Sequence, residues 1–74
     1  MGMAERLGAV AREARRDAGL SLLDIATRAR VSESVVSRFE KGDGWRRQTD
    51  QIISAYEQEC RLQPGELWRR AIGR

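Results

Sequence analysis

The stretch VSESVVSRFEKG, residues 31–42, sets Ser32, Glu33, Ser34, Ser37, Arg38 and Lys41 around only a few apolar side chains. Serine hydroxyls donate and accept at short range, an arginine guanidinium offers a flat fork of donors, and a lysine is a mobile point charge. A core helix has no use for so many small hydrogen-bonding groups, and a merely solvated face favours long charged residues over serine. The face is composed to read a partner.

The rest of the chain narrows what kind of chemistry is open. With no His and one Cys, there is no metal site of ordinary ligand number and no Cys/His or Ser/His nucleophile pair, and Tyr56 has no catalytic His to work with. The expectation is a protein that is not an enzyme and carries neither metal nor cofactor. A lone Cys forms no internal disulfide, no signal-like apolar run opens the chain, and no apolar stretch approaches the roughly 18 residues of a membrane span. The chain therefore reads as reduced and cytoplasmic, without a membrane partner. Thirteen Arg and one Lys stand against 11 acidic residues, a net charge of +3. That balance suits a phosphate-bearing partner without amounting to a polycationic tail.

Seventy-four residues make one domain, 1–74, and a chain of that size buries only roughly 60% of its unfolded surface. A second domain to hold a cofactor or sense a ligand is not expected. The periods are helical throughout. Met3, Leu7, Val10, Ala14 and Ala18 recur at spacings of three and four and are followed by Gly19, which predicts a helix over about residues 3–18. Within it, Arg12, Arg15 and Arg16 alternate with Glu13 and Asp17 as a solvated, ion-paired face. Ser21 stands as an N-cap with Asp24 three residues on, before a short second helix from Leu22 to Ala29. Ser32 caps a third helix that Gly42 closes. After the loop GDGWRRQ, a fourth helix starts at Thr49 or Asp50, carries Ile52, Ile53, Tyr56 and Cys60 on one side, and ends near Leu62 ahead of Pro64. A last helix over about 65–72 brings Leu67, Trp68, Ala71 and Ile72.

These elements predict an all-α bundle of about five short helices. Only Arg30 and Val31 separate the second helix from the cap of the third, so the two meet through a tight turn, a helix-turn-helix over about residues 21–42. Ile25, Ala29, Val31, Val36 and Phe39 fall where those helices must face each other and the core, and Ala26 is small at their crossing. The serines, Arg38 and Lys41 are left facing outward.

With those residues in place, GLSLLDIATRARVSESVVSRFEKG resembles the phage repressor and Cro-like (XRE-type) helix-turn-helix proteins. It shares their Leu-Ser start, Ile-Ala pair, Val-Ser turn and Ser-Arg-aromatic-Glu-x-Gly ending. Three positions depart from the pattern: Leu22 stands where the family usually has a phosphate-bonding Gln, Arg30 where the turn usually has Gly, and GDGWRRQTD has no proline. A left-handed Arg30 costs on the order of 1 kcal/mol or more, and a β-like or helical turn is the alternative.

The resemblance implies that the helix over 33–41 enters the major groove of double-stranded DNA with its first residues nearest the bases. Arg38 would then fork onto guanine, Ser34 and Ser37 would bond base edges or phosphate, Glu33 would accept from cytosine or orient a nearby Arg, and Val35 would touch a thymine methyl or close the core edge. Ser21, Ser32, Lys41, Arg46 and Arg47 would hold the backbone, with a narrow minor groove or a merely solvated loop as the alternatives for the two loop arginines, and Trp45 would pack on the sugars or plug the loop. One recognition helix covers too few base pairs for selectivity, so the resemblance also implies a weak homodimer, strengthened on DNA, on half-sites roughly 34 Å apart. Leu67, Trp68 and Ile72 are its candidate contacts, with closure of the core as the competing role. The expected function is a transcription regulator, Cro or repressor-like, of phage or bacterial origin. An antitoxin-like protein-binding module and an architectural protein such as a recombination directionality factor are the alternatives on the same fold.

Overall fold

Apolar spacings of three and four carry through into five helices. In a computed structural model that describes residues 2–43 and 48–73, these are α1 (Met3–Asp17), α2 (Leu22–Ala29), α3 (Glu33–Glu40), α4 (Thr49–Glu59) and α5 (Glu66–Ile72). No strand occurs among the described residues. The principal extents are 28 × 24 × 18 Å, so each helix has one stripe on a single shared core. α2 packs against α4 and α3, and α1 packs against α5 and α3.

The core is Leu7, Val10, Ala11 and Ala14 of α1, Ile25, Ala26 and Ala29 of α2, Val36 and Phe39 of α3, Ile52, Ile53, Ala55 and Tyr56 of α4, and Leu67 and Ala71 of α5. Leu20, Leu22, Val31, Val35, Cys60, Leu62 and Trp68 are half-buried around it. The apolar stripe of α1 is shorter than its sequence period suggests. Met3 is 37% exposed and Ala18 is exposed. Burial pushes the Cys60 thiol pKa up, as befits a side chain that packs rather than reacts.

Four helices stop by the same device. A residue at positive φ follows the last turn, and the next amide donates back to a carbonyl five residues earlier. The residues are Gly19 (φ 71°), Arg30 (61°), Gly42 (75°) and Arg61 (57°). Their closing bonds run from Leu20 N–H to Arg15 O (3.0 Å), Val31 to Ala26 (3.1 Å), Asp43 to Arg38 (2.9 Å) and Leu62 to Glu57 (2.7 Å). Arg30 therefore takes the left-handed conformation outright, not a β-like or helical turn. The reversal between α2 and α3 is too tight to be made otherwise while Val31 returns to the core. Arg61 corrects the expected end of α4 in the same way: the helix stops at Glu59, before Pro64 has any influence. Each left-handed arginine costs about 1–2 kcal/mol.

Beyond that stop, Glu57 Oε2 accepts from Gly65 N–H at 2.7 Å and Glu66 Oε1 accepts from Gln63 N–H at 3.0 Å. The chain is thereby turned into α5. Leu67 is wholly buried there (0% exposed), whereas Ile72 is 65% exposed. Leu67 is thus withdrawn as a contact with a second copy, because α5 needs it to hold onto the monomer's own core. Among the described residues no helix is long and apolar enough to cross a membrane.

Candidate nucleic-acid interface

α3 begins at Ser32, whose extended backbone and Oγ, accepting from Val35 N–H at 3.4 Å, satisfy one of the first turn's free amides. Ser34 Oγ lies 3.0 Å from Ser32 Oγ. At about 100° per residue, Glu33, Ser34, Ser37, Arg38 and Lys41 share one arc of the helix. Four of them are exposed and Ser37 is half-buried. The opposite arc holds Val36 (0% exposed) and Phe39 (8%), and Val35 sits at its edge, packed on the core. Of Val35's two expected roles, the geometry supports closing the core edge.

What fastens the inner arc is polar as well as apolar. The Glu40 carboxylate accepts from Arg15 Nε at 2.7 Å and Nη2 at 3.1 Å and from the Tyr56 hydroxyl. Arg15 Nη1 also donates to Leu20 O at 3.0 Å. Only 12% of the Arg15 side chain and 6% of the Glu40 side chain remain exposed. The hydrogen bond to Glu40 raises the Arg15 pKa. Burial, and then the bond to Glu40, push the Tyr56 pKa up, so its phenol stays a donor. The Tyr56 ring lies 5.7 Å from that of Phe39. One carboxylate on α3 is thus tied to α1 and α4 together.

This corrects the reading of α1. Arg15 does not belong to a solvated face with Glu13 and Asp17; it turns inward because α3 supplies a buried carboxylate that needs a cation. Glu40 was legible in principle. It follows Val36 by four residues, on the buried arc, where an unpaired carboxylate would be costly. Gly8 carried no such signal. A Cβ there would lie 2.4 Å from Phe39 O and 2.5 Å from Glu40 O, so α1 crosses the end of α3 at a distance only glycine permits. Gly42, at positive φ, also lies against the Glu5 backbone, with a Cβ position 2.6 Å from Glu5 Cα.

Ser21 caps α2 in a reciprocal box: Asp24 N–H donates to Ser21 Oγ at 3.1 Å and Ser21 N–H donates to Asp24 Oδ2 at 2.8 Å. Those bonds, the backbone one foremost, lower the Asp24 pKa. Ser21, Ser32 and Lys41 are all exposed, the two serines at the starts of α2 and α3 and Lys41 at the end of α3. Trp45, Arg46 and Arg47 lie outside the described residues. Among the described residues no cluster of three or more His, Cys, Asp or Glu could hold a metal ion.

Comparison with known proteins agrees with this geometry. Residues 6–58 match the model of a family described as a helix-turn-helix domain. Two crystal structures of the clp gene regulator ClgR from Corynebacterium glutamicum superpose on the chain at 25% identity. One gives a TM-score of 0.82 over 99% of this chain and 92% of that one. The other gives 0.85 over 99% of this chain and 76% of that one. No curated protein matches. The family match spans both helices of the motif, the tied inner arc of α3 and most of α4, and on that ground the chain belongs to this helix-turn-helix domain family.

Proposed function

We propose that the protein is a DNA-binding transcription regulator that inserts α3 into the major groove. The observation that carries this reading is the division of α3. Its inner arc is bound to the body by Val36, Phe39 and the buried Glu40, while Glu33, Ser34, Arg38 and Lys41 stand exposed on the other side. A rigidly mounted helix with a hydrogen-bonding outer arc is what direct readout of base edges requires. Likeness to a clp gene regulator supports the regulatory role.

Within this reading Arg38 reads guanine, Ser34 and Ser37 bond base edges, and Glu33 discriminates by accepting from cytosine and repelling phosphate. Ser21, Ser32 and Lys41 position the backbone, with Arg46 and Arg47 from the connecting loop. Two copies on a two-fold operator supply selectivity, and the exposed Ile72 beside the half-buried Trp68 supports a weak contact between them. Ile72→Ser should leave folding unchanged and reduce cooperative occupancy of a palindromic site; unchanged cooperativity would move the contact elsewhere.

The test of binding is an anisotropy titration with DNA flanking the protein's own gene at several salt concentrations. Log affinity should fall linearly with log salt, by about 0.9 for each phosphate neutralised. Binding that ignores salt would contradict the reading.

A further inference from the structure

A cleft of about 260 Å³ opens between α1 and α3, beside the start of α2. Arg12, Arg15 and Arg16 line it from α1, and Ser37, Glu40 and Lys41 from α3. Four cations therefore face one carboxylate, a surplus equal to the whole chain's net charge of +3.

Arg15 and Glu40 are already committed to each other, and Glu40 also to Tyr56. Arg12, Arg16 and Lys41 enter no ion pair or side-chain hydrogen bond among the described residues. All three are exposed. Arg12 and Arg16 lie one helical turn apart on α1, and Ser37 and Lys41 lie one turn apart on α3, so two pairs of donors converge across the gap. The Leu22 side chain forms an apolar wall.

We propose that this cleft is a phosphate site that clamps the DNA backbone flanking the base-reading arc, with Arg12 and Arg16 as its new ligands. It rests on the DNA-binding reading of α3, whose own residues Ser37 and Lys41 form one wall. Arg15 does not release Glu40 in this role. Its guanidinium stays bidentate on the carboxylate and keeps that charge from repelling the phosphate, while Arg12, Arg16 and Lys41 supply the attraction. The clamp carries no sequence information; it fixes how deep and at what angle α3 lies.

The test is binding of a random-sequence duplex by wild type, by Arg12→Ala/Arg16→Ala and by the charge-matched control Arg61→Gly/Arg69→Ala, neither residue of which lines the cleft. The Arg12/Arg16 variant should lose about one unit of salt slope, so its deficit against wild type should shrink about three- to fourfold between 50 and 200 mM salt. Its melting curve should be unchanged, and the control should retain most of the wild-type slope. If the Arg12/Arg16 variant keeps the slope, or the control loses as much, the cleft is not a clamp although the DNA reading stands. If wild type itself binds no duplex, it is the DNA reading that fails. Inorganic phosphate alone, followed through the arginine Nε–H resonances, separates the two sources of phosphate. Weak, unsaturated shifts support the backbone, and saturation by free phosphate with no response to duplex overturns it.

Discussion

The two arcs of α3 differ in almost every physical respect. The inner arc is bonded to side chains far away in sequence, Glu40 to Arg15 and Tyr56, and packs Val36 and Phe39 into the core. Among the described residues, the side chains of the outer arc bond at most within the first turn, Ser32 to Ser34 and Val35. Stability and, in the proposed reading, recognition are thus segregated onto opposite sides of one helix. A helix built in this way can change its outer residues, and hence its target, without disturbing its mounting.

Substitution of the inner arc should give the largest effect. Glu40→Ala leaves Arg15 buried without its carboxylate and should cost about 3–5 kcal/mol in urea unfolding. A loss below 1 kcal/mol would mean that the tie is ornamental and that α3 is held by packing alone. Gly8→Ala drives a methyl into the Phe39 and Glu40 carbonyls and should cost about 1–3 kcal/mol through displacement of α1. On the outer arc the readout changes from stability to binding. Arg38→Ala should keep the urea midpoint within about 0.5 kcal/mol of wild type yet weaken the preferred site by about 1–3 kcal/mol and relax one base position. Equal loss on preferred and random DNA would show that Arg38 grips phosphate.

The helix ends explain why much of the fold was legible and part of the site was not. Ser21, Ser32, Gly19 and Gly42 announce helix boundaries through their own local chemistry, and each boundary near them agrees with expectation to within a residue. Arg30 and Arg61 take the same left-handed role with a residue type that gives no hint of it. Arg15 looks like its solvated neighbours because its partner is 25 residues away. In α5 the apolar period alone does not say that Leu67 turns inward and Ile72 outward; the direction of entry set by Glu57 and Gly65 decides it.

Smaller effects sharpen the contrast between encoded and imposed structure. Arg30→Gly removes the left-handed strain at the turn that presents α3 and should stabilise the fold by about 1 kcal/mol, read as a higher urea midpoint. The smallest change concerns the cap of α2. The folded-state pKa of Asp24 is lowered by its bonds to Ser21, so its contribution is full above the ordinary carboxylate range and is lost as pH falls through the lowered value. Asp24→Asn should flatten that part of the acid limb by lowering stability slightly at neutral pH while leaving it nearly unchanged below the lowered pKa; an unaltered acid limb would remove Asp24 from the account.

Amide chemical shifts recorded during titration with duplex DNA test the division of α3 most directly. Glu33, Ser34, Ser37, Arg38 and Lys41 should move first and furthest, with Gln51 and Gln58 beside the groove between α2 and α4 nearly still and Glu40 remaining protected from hydrogen exchange. Shifts centred on α5 or on the groove between α2 and α4, with the outer arc of α3 silent, would contradict the assignment of that arc as the reading surface.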